Sequence, residues 1–345
     1  MARFQHRNTM YLVLPLILVV GFAVGIFSSL TPIQAQEMEA ETYTVFAGAD
    51  APYNSTVLAF APQSLQVHRG DTVTWAFGGF HNIHFENELA PLIIAPEVDG
   101  QPLPQFNPAI AFPTIENGAT FQGGDANSGV PLDPTVPMFT FSLIMDVEPG
   151  DYSYFCDIHP GMSGTISVVD SSVEIPSPEE ALATGVAENA TSAGAAAQAA
   201  FASAMQPAQM GEDGALQVSA GLQVGAAHSL SFFPAVAVIE PGQSVTWTIP
   251  ADSREPHTVT APVPLPGSEF NIIPQDAGPP IIAMSETTFP AQENGAAIGA
   301  EGSFNTGFML PGQSFTLTFT EPGVYQYVCM IHVGMNGTVV VMPTE

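Results

Sequence analysis

The chain has 345 residues, 46% of them apolar, and its 33 acidic residues face only four arginines and no lysine. This charge excludes binding to nucleic acid phosphates, or to anionic lipid through basic patches, because almost no cation is available to neutralise them. The 32 prolines and 31 glycines favour many turns and a β architecture, and two cysteines are too few for a disulfide framework.

The N-terminus has the pattern of an export signal. Two arginines precede residues 11–30, which carry no charge, and Ala35 stands at a suitable cleavage position. The apolar run is long enough to span a bilayer, so residues 1–35 are predicted to be a signal peptide or an N-terminal membrane anchor. The basic residues before the run predict that the remainder is exported and is periplasmic, at the cell surface or secreted.

The remainder is a tandem repeat. Residues 70–75 (GDTVTW) reappear as residues 242–247 (GQSVTW), and further segments recur in the same order with offsets between 172 and 178 residues. Ordered self-similarity of this kind indicates a duplicated domain. We predict one domain over residues 43–169 and a second over residues 215–345.

Residues 170–214 join the two repeats and are rich in Ala, Pro, Ser and Glu. Residues 178–181 (PEEA) are typical of a helix start, and residues 195–205 have high helix propensity. Gly185 and Gly194 disfavour one continuous helix. The sequence therefore predicts a linker with one or two short helices, with a disordered spacer as the alternative.

Alternating patterns within each repeat are typical of strands. Val73, Trp75 and Phe77 are separated by small or polar residues, and residues 315–319 show the same alternation. Turn residues such as those at 149–151 separate these segments. Short strands with frequent turns predict an all-β fold of two tandem β-sandwiches.

Both cysteines stand in the same local motif. Residues 154–164 (YFCDIHPGMSG) and 327–337 (YVCMIHVGMNG) share the spacing C-x2-H-x2-M. Each repeat also places a histidine a few residues after its shared tryptophan. One thiolate, two imidazoles and one thioether per repeat form a soft donor set, which is the set of blue-copper sites.

Both repeats resemble the cupredoxins, the family of plastocyanin, amicyanin and azurin. The resemblance is carried by GDTVTW…HN and by Y-x-Y-x-C-x2-H-x2-M-x-G, and it covers about residues 43–169 and 216–342. It implies two Greek-key β-sandwiches, each with a type 1 copper held at one end by a short, amicyanin-like loop. The copper ligands that it implies are His81, Cys156, His159 and Met162 in the first repeat, and His257, Cys329, His332 and Met335 in the second.

The repeats depart from the simplest family members in length and in one residue beside the site. Proline-rich stretches around residues 90–130 and 262–307 separate the first histidine from the cysteine, and we expect them to form loops near the copper end that shape a docking surface. Asn82 follows the first ligand and is expected to brace the cysteine-bearing loop, as in cupredoxins with that residue. The second repeat has Thr258 there, so its surroundings and its potential should differ.

The remaining histidines and methionines are expected to have other roles. His84 corresponds to Thr260, so it is predicted to be a surface residue or one that supports the ligands without binding metal. Neither His68 nor His228 has a counterpart, and both are predicted to lie on the surface. The methionines predicted to fill the cores are Met138, Met145 and Met309.

A metal with four protein ligands has no vacant position for a substrate, so the sequence predicts an electron carrier and not an enzyme. The main alternative is a two-domain copper enzyme of the multicopper oxidase or nitrite reductase type. Those enzymes need further histidines, and here no His-x-His pair occurs and neither cysteine is preceded by histidine. A copper storage or delivery protein is a third possibility, which exposed methionine-rich tracts would favour.

Apolar residues around an exposed ligand histidine would form a contact patch for a redox partner. Ile158, Pro160 and Met162 surround His159, and similar residues surround its counterpart in the second repeat. The acidity favours a cationic partner, such as a basic c-type cytochrome or a membrane oxidase or dehydrogenase. The alternative is that the acidity only keeps the protein soluble.

Overall fold

The computed structural model describes residues 39–85, 90–98, 100–131, 140–264 and 267–343. The signal peptide or anchor expected at residues 1–35 lies outside these ranges, as does Met138. Both repeats belong to one compact unit that begins at Glu39. No helix in the described ranges has the length and apolarity needed to cross a membrane.

The first repeat consists mainly of short strands, with one short helix in its long insertion. These elements are β1 (Thr42–Ala51), β2 (Ser55–Ala61), β3 (Ser64–His68), β4 (Thr72–Phe77), β5 (His84–Phe85), β6 (Ile93–Ile94), β7 (Glu97–Val98), β8 (Gln101–Pro102), β9 (Gln105–Phe106), α1 (Pro108–Ala111), β10 (Ala119–Phe121), β11 (Ala126–Asn127), β12 (Thr140–Met145), β13 (Gly150–Phe155) and β14 (Ser163–Val169).

The linker contains one long helix, and the second repeat then follows the same plan as the first. Their elements are α2 (Pro178–Ala204), β15 (Gln209–Met210), β16 (Leu216–Val224), β17 (Ala227–Phe233), β18 (Val236–Ile239), β19 (Gln243–Thr248), β20 (Thr260–Ala261), β21 (Phe270–Ile273), β22 (Ile281–Met284), a 3-10 helix (Glu286–Thr288), β23 (Ala297–Ile298), β24 (Phe304–Asn305), β25 (Ser314–Phe319), β26 (Gly323–Val328) and β27 (Asn336–Val341).

Each repeat is a β-sandwich, which confirms the expected all-β class. One sheet of the first repeat has the order β10-β12-β4-β1-β2 and the other the order β11-β5-β13-β14-β3. Parallel pairing of β1 with β4 and antiparallel pairing of β12 with β4 give the crossed connections of a Greek key. Alternate residues of these strands point into the sandwich, where Trp75 and, in the second repeat, Trp247 are fully buried.

The two sandwiches are joined through a continuous sheet. Strand β2 pairs antiparallel with β17, with Ser55 opposite Ser229, Thr56 opposite His228, and Val57 opposite Ala227. The combined sheet therefore runs from β10 in the first repeat to β23 in the second. Because main-chain hydrogen bonds cross the junction, the repeats are fixed against each other as one body.

The linker helix differs from the expectation of one or two short helices, because α2 is continuous over 27 residues. Ser177 and Glu180 form a reciprocal capping box at its start, in which each side chain accepts the other residue's backbone N–H. Gly185 does not interrupt the helix, because there the absence of a side chain lets α2 approach the Ala61 carbonyl closely. Close packing against the shared sheet outweighs the low helix propensity of glycine.

The proline-rich insertions, which were expected to form loops and a docking surface, instead pair with each other. Strands β6 and β9 of the first repeat join β21 and β22 of the second in one small sheet, with Gln105 opposite Ala283. Phe106 and Ile282 are buried in the apolar cluster that covers this contact. Part of each insertion is therefore used to hold the two repeats together.

Candidate metal centres

The structure brings a histidine, a cysteine and a second histidine together in the first repeat. His81 lies after β4, whereas Cys156 follows β13 and His159 lies in the turn before β14. The Sγ atom of Cys156 is 3.7 Å from Nδ1 of His81 and 3.6 Å from Nδ1 of His159. The two Nδ1 atoms are 2.9 Å apart. All three residues are buried.

The second repeat reproduces this arrangement. The Sγ atom of Cys329 is 3.8 Å from Nδ1 of His257 and 3.4 Å from Nδ1 of His332, and these nitrogens are 3.0 Å apart. In each repeat the three donor atoms lie within 4.8 Å of one another. Both cysteines are free thiols, so the sulfur atoms remain available as ligands.

Both methionines predicted as ligands are buried in the same core clusters as their cysteines. Met162 is 1% exposed and Met335 is fully buried. Each ligand loop closes on itself, since the backbone N–H of Cys156 donates to Met162 O at 3.0 Å and that of Cys329 donates to Met335 O at 3.0 Å. A short loop held in this way brings Cys, His and Met to one end of the sandwich.

The donor atoms fit a metal ion of the expected kind. A metal about 2 Å from two imidazole nitrogens and about 2.3 Å from a thiolate requires sulfur–nitrogen separations near 3.5 Å. The observed sulfur–nitrogen distances, 3.4 to 3.8 Å, match this requirement in both repeats. One thiolate with two imidazoles is a donor set suited to copper.

Electrostatics favour the thiolate form of both cysteines and the neutral form of His81. Burial raises the pKa of the Cys156 thiol, but hydrogen bonds from His159 and His81 outweigh burial and lower that pKa below its ordinary value. The pKa of Cys329 is also lowered, since the charge of His332 outweighs burial. Burial lowers the pKa of His81, which therefore presents a neutral ring. A thiolate and a neutral imidazole are the forms that bind metal. Burial opposes protonation of His159 and His332, but Glu255 and the cysteine thiolates outweigh it and raise the pKa of each ring to about 10, so metal binding must displace a proton from each.

Asn82 ties the first histidine segment to the cysteine loop, as the resemblance implied. Its Oδ1 accepts the backbone N–H of Asp157 at 2.8 Å, and its Nδ2 donates to Asn127 Oδ1 at 3.0 Å. In the second repeat Thr258 has this role, because its Oγ1 accepts the Met330 N–H at 2.9 Å and its own N–H donates to Cys329 Sγ at 3.4 Å. The two centres are thus held by different groups.

His84 is buried and lies between two carboxylates. Its Nδ1 is 2.8 Å from Asp157 Oδ2, and its Nε2 is 2.7 Å from Asp125 Oδ1. Burial opposes protonation, but the hydrogen bonds to Asp157 and Asp125 outweigh it and raise the pKa of His84. His84 therefore braces the residue after Cys156, which agrees with the supporting role and not with the surface role.

The expectation that His228 lies on the surface is wrong. His228 is fully buried in β17, and its Nε2 atom lies 3.0 Å from Nε2 of His257. The sequence gives little indication of this contact. Comparison of the repeats does not reveal it, because Thr56 holds the corresponding position in the first repeat. By contrast, His68 is partly exposed and contacts Val173 O at 2.9 Å.

Glu255 is a further residue that the motifs did not reveal. Its Oε1 lies 3.1 Å from Nε2 of His159, and its Oε2 lies 3.4 Å from Nε2 of His332. Burial raises the pKa of Glu255, but the charge of His159 and hydrogen bonds from both rings hold it well below its usual range. One ionised carboxylate thus contacts a histidine from each centre.

The apolar contact patch expected around an exposed ligand histidine is not formed in the first repeat. His159 is only 5% exposed, because Glu255 of the second repeat covers its outer nitrogen. Met162 is buried and Ile158 packs against two apolar clusters. In the second repeat Val333 is 97% exposed, but its neighbour His332 also faces Glu255.

Parts of this chain are similar to known proteins. The chain is 27% identical to a plastocyanin from Nostoc punctiforme over 44% of this chain and 88% of that protein. It is 28% identical to a plastocyanin from Synechococcus sp. over 48% of this chain and 96% of that protein. Among solved structures, a reduced amicyanin variant is 23% identical, with 38% of this chain and 86% of that chain covered and a TM-score of 0.22.

A family model describes the two repeats separately. The model for copper binding proteins of the plastocyanin/azurin family matches residues 48–169 and residues 218–342. These two segments span most of the chain, and each contains one of the His/Cys/His groups. The chain therefore belongs to the plastocyanin/azurin family of copper binding proteins and carries two copies of its domain.

Proposed function

We propose that this protein is an exported electron carrier with two type 1 copper sites, one in each repeat. The observation that supports this proposal is the convergence of one cysteine sulfur and two Nδ1 atoms within 4.8 Å in each repeat. Bound copper would supply a one-electron couple. The ligands in the first repeat are His81, Cys156, His159 and Met162; those in the second are His257, Cys329, His332 and Met335.

The protein residues would keep each site in one geometry. The closed ligand loops and the anchors from Asn82 and Thr258 fix the donor atoms before a metal binds. Little rearrangement would then accompany gain or loss of an electron. Burial of both cysteines keeps water from the thiolates.

The positions of the other buried histidines favour a carrier over a copper enzyme. His84 contacts two aspartates and His228 supports His257, so each is already engaged. The uncharged run at residues 11–30 supports export, and the acidity of the remainder supports a basic redox partner, such as a c-type cytochrome or a membrane oxidase or dehydrogenase.

Copper titration of the protein, with its visible spectrum, tests this proposal. We expect two coppers per chain and an intense thiolate-to-copper absorption band. Cys156→Ser and Cys329→Ser should each remove one copper and part of the band, whereas Met145→Leu, in the core, should remove neither. Unchanged copper content in either cysteine variant would refute the assignment of that repeat. Robust turnover of nitrite, phenols or ferrous iron would refute the carrier function.

A further inference from the structure

Glu255 stands between the two candidate copper centres and contacts both. Its two oxygens each face the Nε2 atom of a different ligand histidine, at 3.1 Å for His159 and 3.4 Å for His332. The Nδ1 atoms of the same rings face the cysteine sulfurs. Each ring thus has one nitrogen toward a metal centre and the other toward the shared carboxylate.

The structure holds Glu255 in this position with local contacts. Ser253 Oγ accepts the backbone N–H of Glu255 at 3.1 Å and donates to the Glu255 carbonyl at 2.9 Å. The neighbouring Arg254 reaches into the first repeat, where it donates to Leu58 O at 3.3 Å. The segment before His257 is therefore anchored across the junction of the two repeats.

A single carboxylate serves both centres because the repeats differ here. The residue in the first repeat that corresponds to Glu255 is Gly79, two positions before His81. Glu255 is only 5% exposed, and a buried carboxylate is costly unless charged or hydrogen-bonding groups pair with it. The N–H groups of His159 and His332 provide that pairing. They therefore stabilise Glu255 as a bridge between the two rings.

We propose that Glu255 couples the two centres, so that an electron received at one passes to the other within the protein. This inference rests on the proposed function. The path runs from one ligand ring through a hydrogen bond, the carboxylate and a second hydrogen bond to the other ligand ring. One centre loses an electron and the other gains it, while both Nε2–H protons stay on their rings. No bond is made or broken.

The negative charge of Glu255 also acts on both centres. A buried carboxylate near two ligand rings stabilises the more positive, oxidised form of each centre. Removal of this charge should shift both reduction potentials to more positive values. Replacement of a residue that only fills space would not shift both reduction potentials in the same direction.

Two variants of the full copper-loaded chain separate the effect of the Glu255 charge from the effect of the hydrogen-bonded path. Glu255→Gln removes the charge and can accept only one of the two N–H groups, so we expect higher potentials at both centres. Glu255→Asp keeps the charge but is too short to reach both rings, so its potentials should stay near those of the unmodified protein. Glu240→Gln, a surface variant with the same charge change, should alter neither the reduction potentials nor the electron exchange between the centres.

Electron exchange within the chain is measured by NMR line broadening in half-reduced protein. In the unmodified protein we expect an exchange rate that does not depend on protein concentration. Both Glu255 variants should slow it at least tenfold, and Glu240→Gln should not. Equal rates in all variants, or exchange that disappears on dilution of the unmodified protein, would overturn the proposal.

A measurement without electron transfer checks the bridge itself. In zinc-loaded protein we expect two exchange-protected imidazole Nε2–H signals from His159 and His332, and Glu255→Gln should lose at least one. Unchanged signals would contradict the bridge. Failure of the proposed function would be seen separately, as unmodified protein that binds no copper or shows no thiolate band.

Discussion

The Nε2 atoms of His228 and His257 lie 3.0 Å apart, and both rings are fully buried. Burial lowers the pKa of His228 to about 4, so this ring is neutral. Its Nδ1 is 3.0 Å from Gln223 Oε1, an acceptor, and must therefore carry the proton. His257 consequently donates its Nε2–H to His228 and leaves Nδ1 for the metal.

Replacement of His228 should weaken the second centre and leave the first unchanged. In His228→Leu the ring of His257 loses the acceptor that sets its tautomer, so we expect about 10- to 100-fold weaker copper binding at the second centre. Chelator competition in a Cys156→Ser background measures this centre alone. Thr56→Val, at the corresponding position of the first repeat, is the control. Equal affinity with and without His228 would show that it has no such role.

The two glycines of α2 should respond in opposite ways to alanine. In Gly194→Ala the new methyl group meets no atom within 4 Å, so better helix propensity should raise the free energy of unfolding by about 1 kcal/mol. In Gly185→Ala it would lie 2.7 Å from Ala61 O, so the helix must shift and stability should fall. Urea denaturation measures both. A stabilising Gly185→Ala would contradict the close contact.

Loss of Asn82 should destabilise the first repeat. Asn82→Ala removes three hydrogen bonds, one from the Asp157 N–H and two that Asn82 Nδ2 donates to Asn127 Oδ1 and Asp157 Oδ2. At about 1 kcal/mol each, their loss should lower the free energy of unfolding by about 2–3 kcal/mol. Denaturant unfolding of the metal-free protein measures the change. Asn336→Ala, at an exposed position, provides the comparison and should have little effect. Similar losses in the two variants would count against the bracing role.

His84 should contribute stability that depends on pH. Its pKa in the folded protein is raised, so protonated His84 favours the folded state below its unfolded pKa of about 6.5, and this contribution disappears as pH rises through the folded pKa. The stability difference between the unmodified protein and His84→Gln should therefore be larger at pH 5.5 than at pH 9. Unfolding curves at both pH values test this. A difference independent of pH would mean that His84 stays neutral.

The metal motifs could be predicted from the sequence because they are local. Cys156, His159 and Met162 lie within one short loop, and the same spacing recurs in the second repeat, so the repetition alone predicts them as donors. The alternation of Val73, Trp75 and Phe77 is also local, because it lies within a single strand. These patterns predict the sandwich and its ligand loop together.

Residues that act across the repeats could not be found in this way. Glu255 contacts His159 from nearly a hundred positions away, and the position corresponding to it holds Gly79, so comparison of the repeats hides it. Gly185 was misleading for a related reason, since its effect depends on the Ala61 carbonyl and not on its helical neighbours. Such contacts depend on how the sandwiches pack, which no local pattern records.

The pairing of β2 with β17 has a further consequence. Strand β2 (Ser55–Ala61) corresponds to β17 (Ala227–Phe233), so Thr56 lies opposite its own counterpart, His228. Such self-complementary pairing is the mark of an isologous contact about a twofold axis. The chain thus has the organisation of a homodimer whose subunits were fused, and residues free to differ after fusion, His228 and Glu255, lie where the two halves meet.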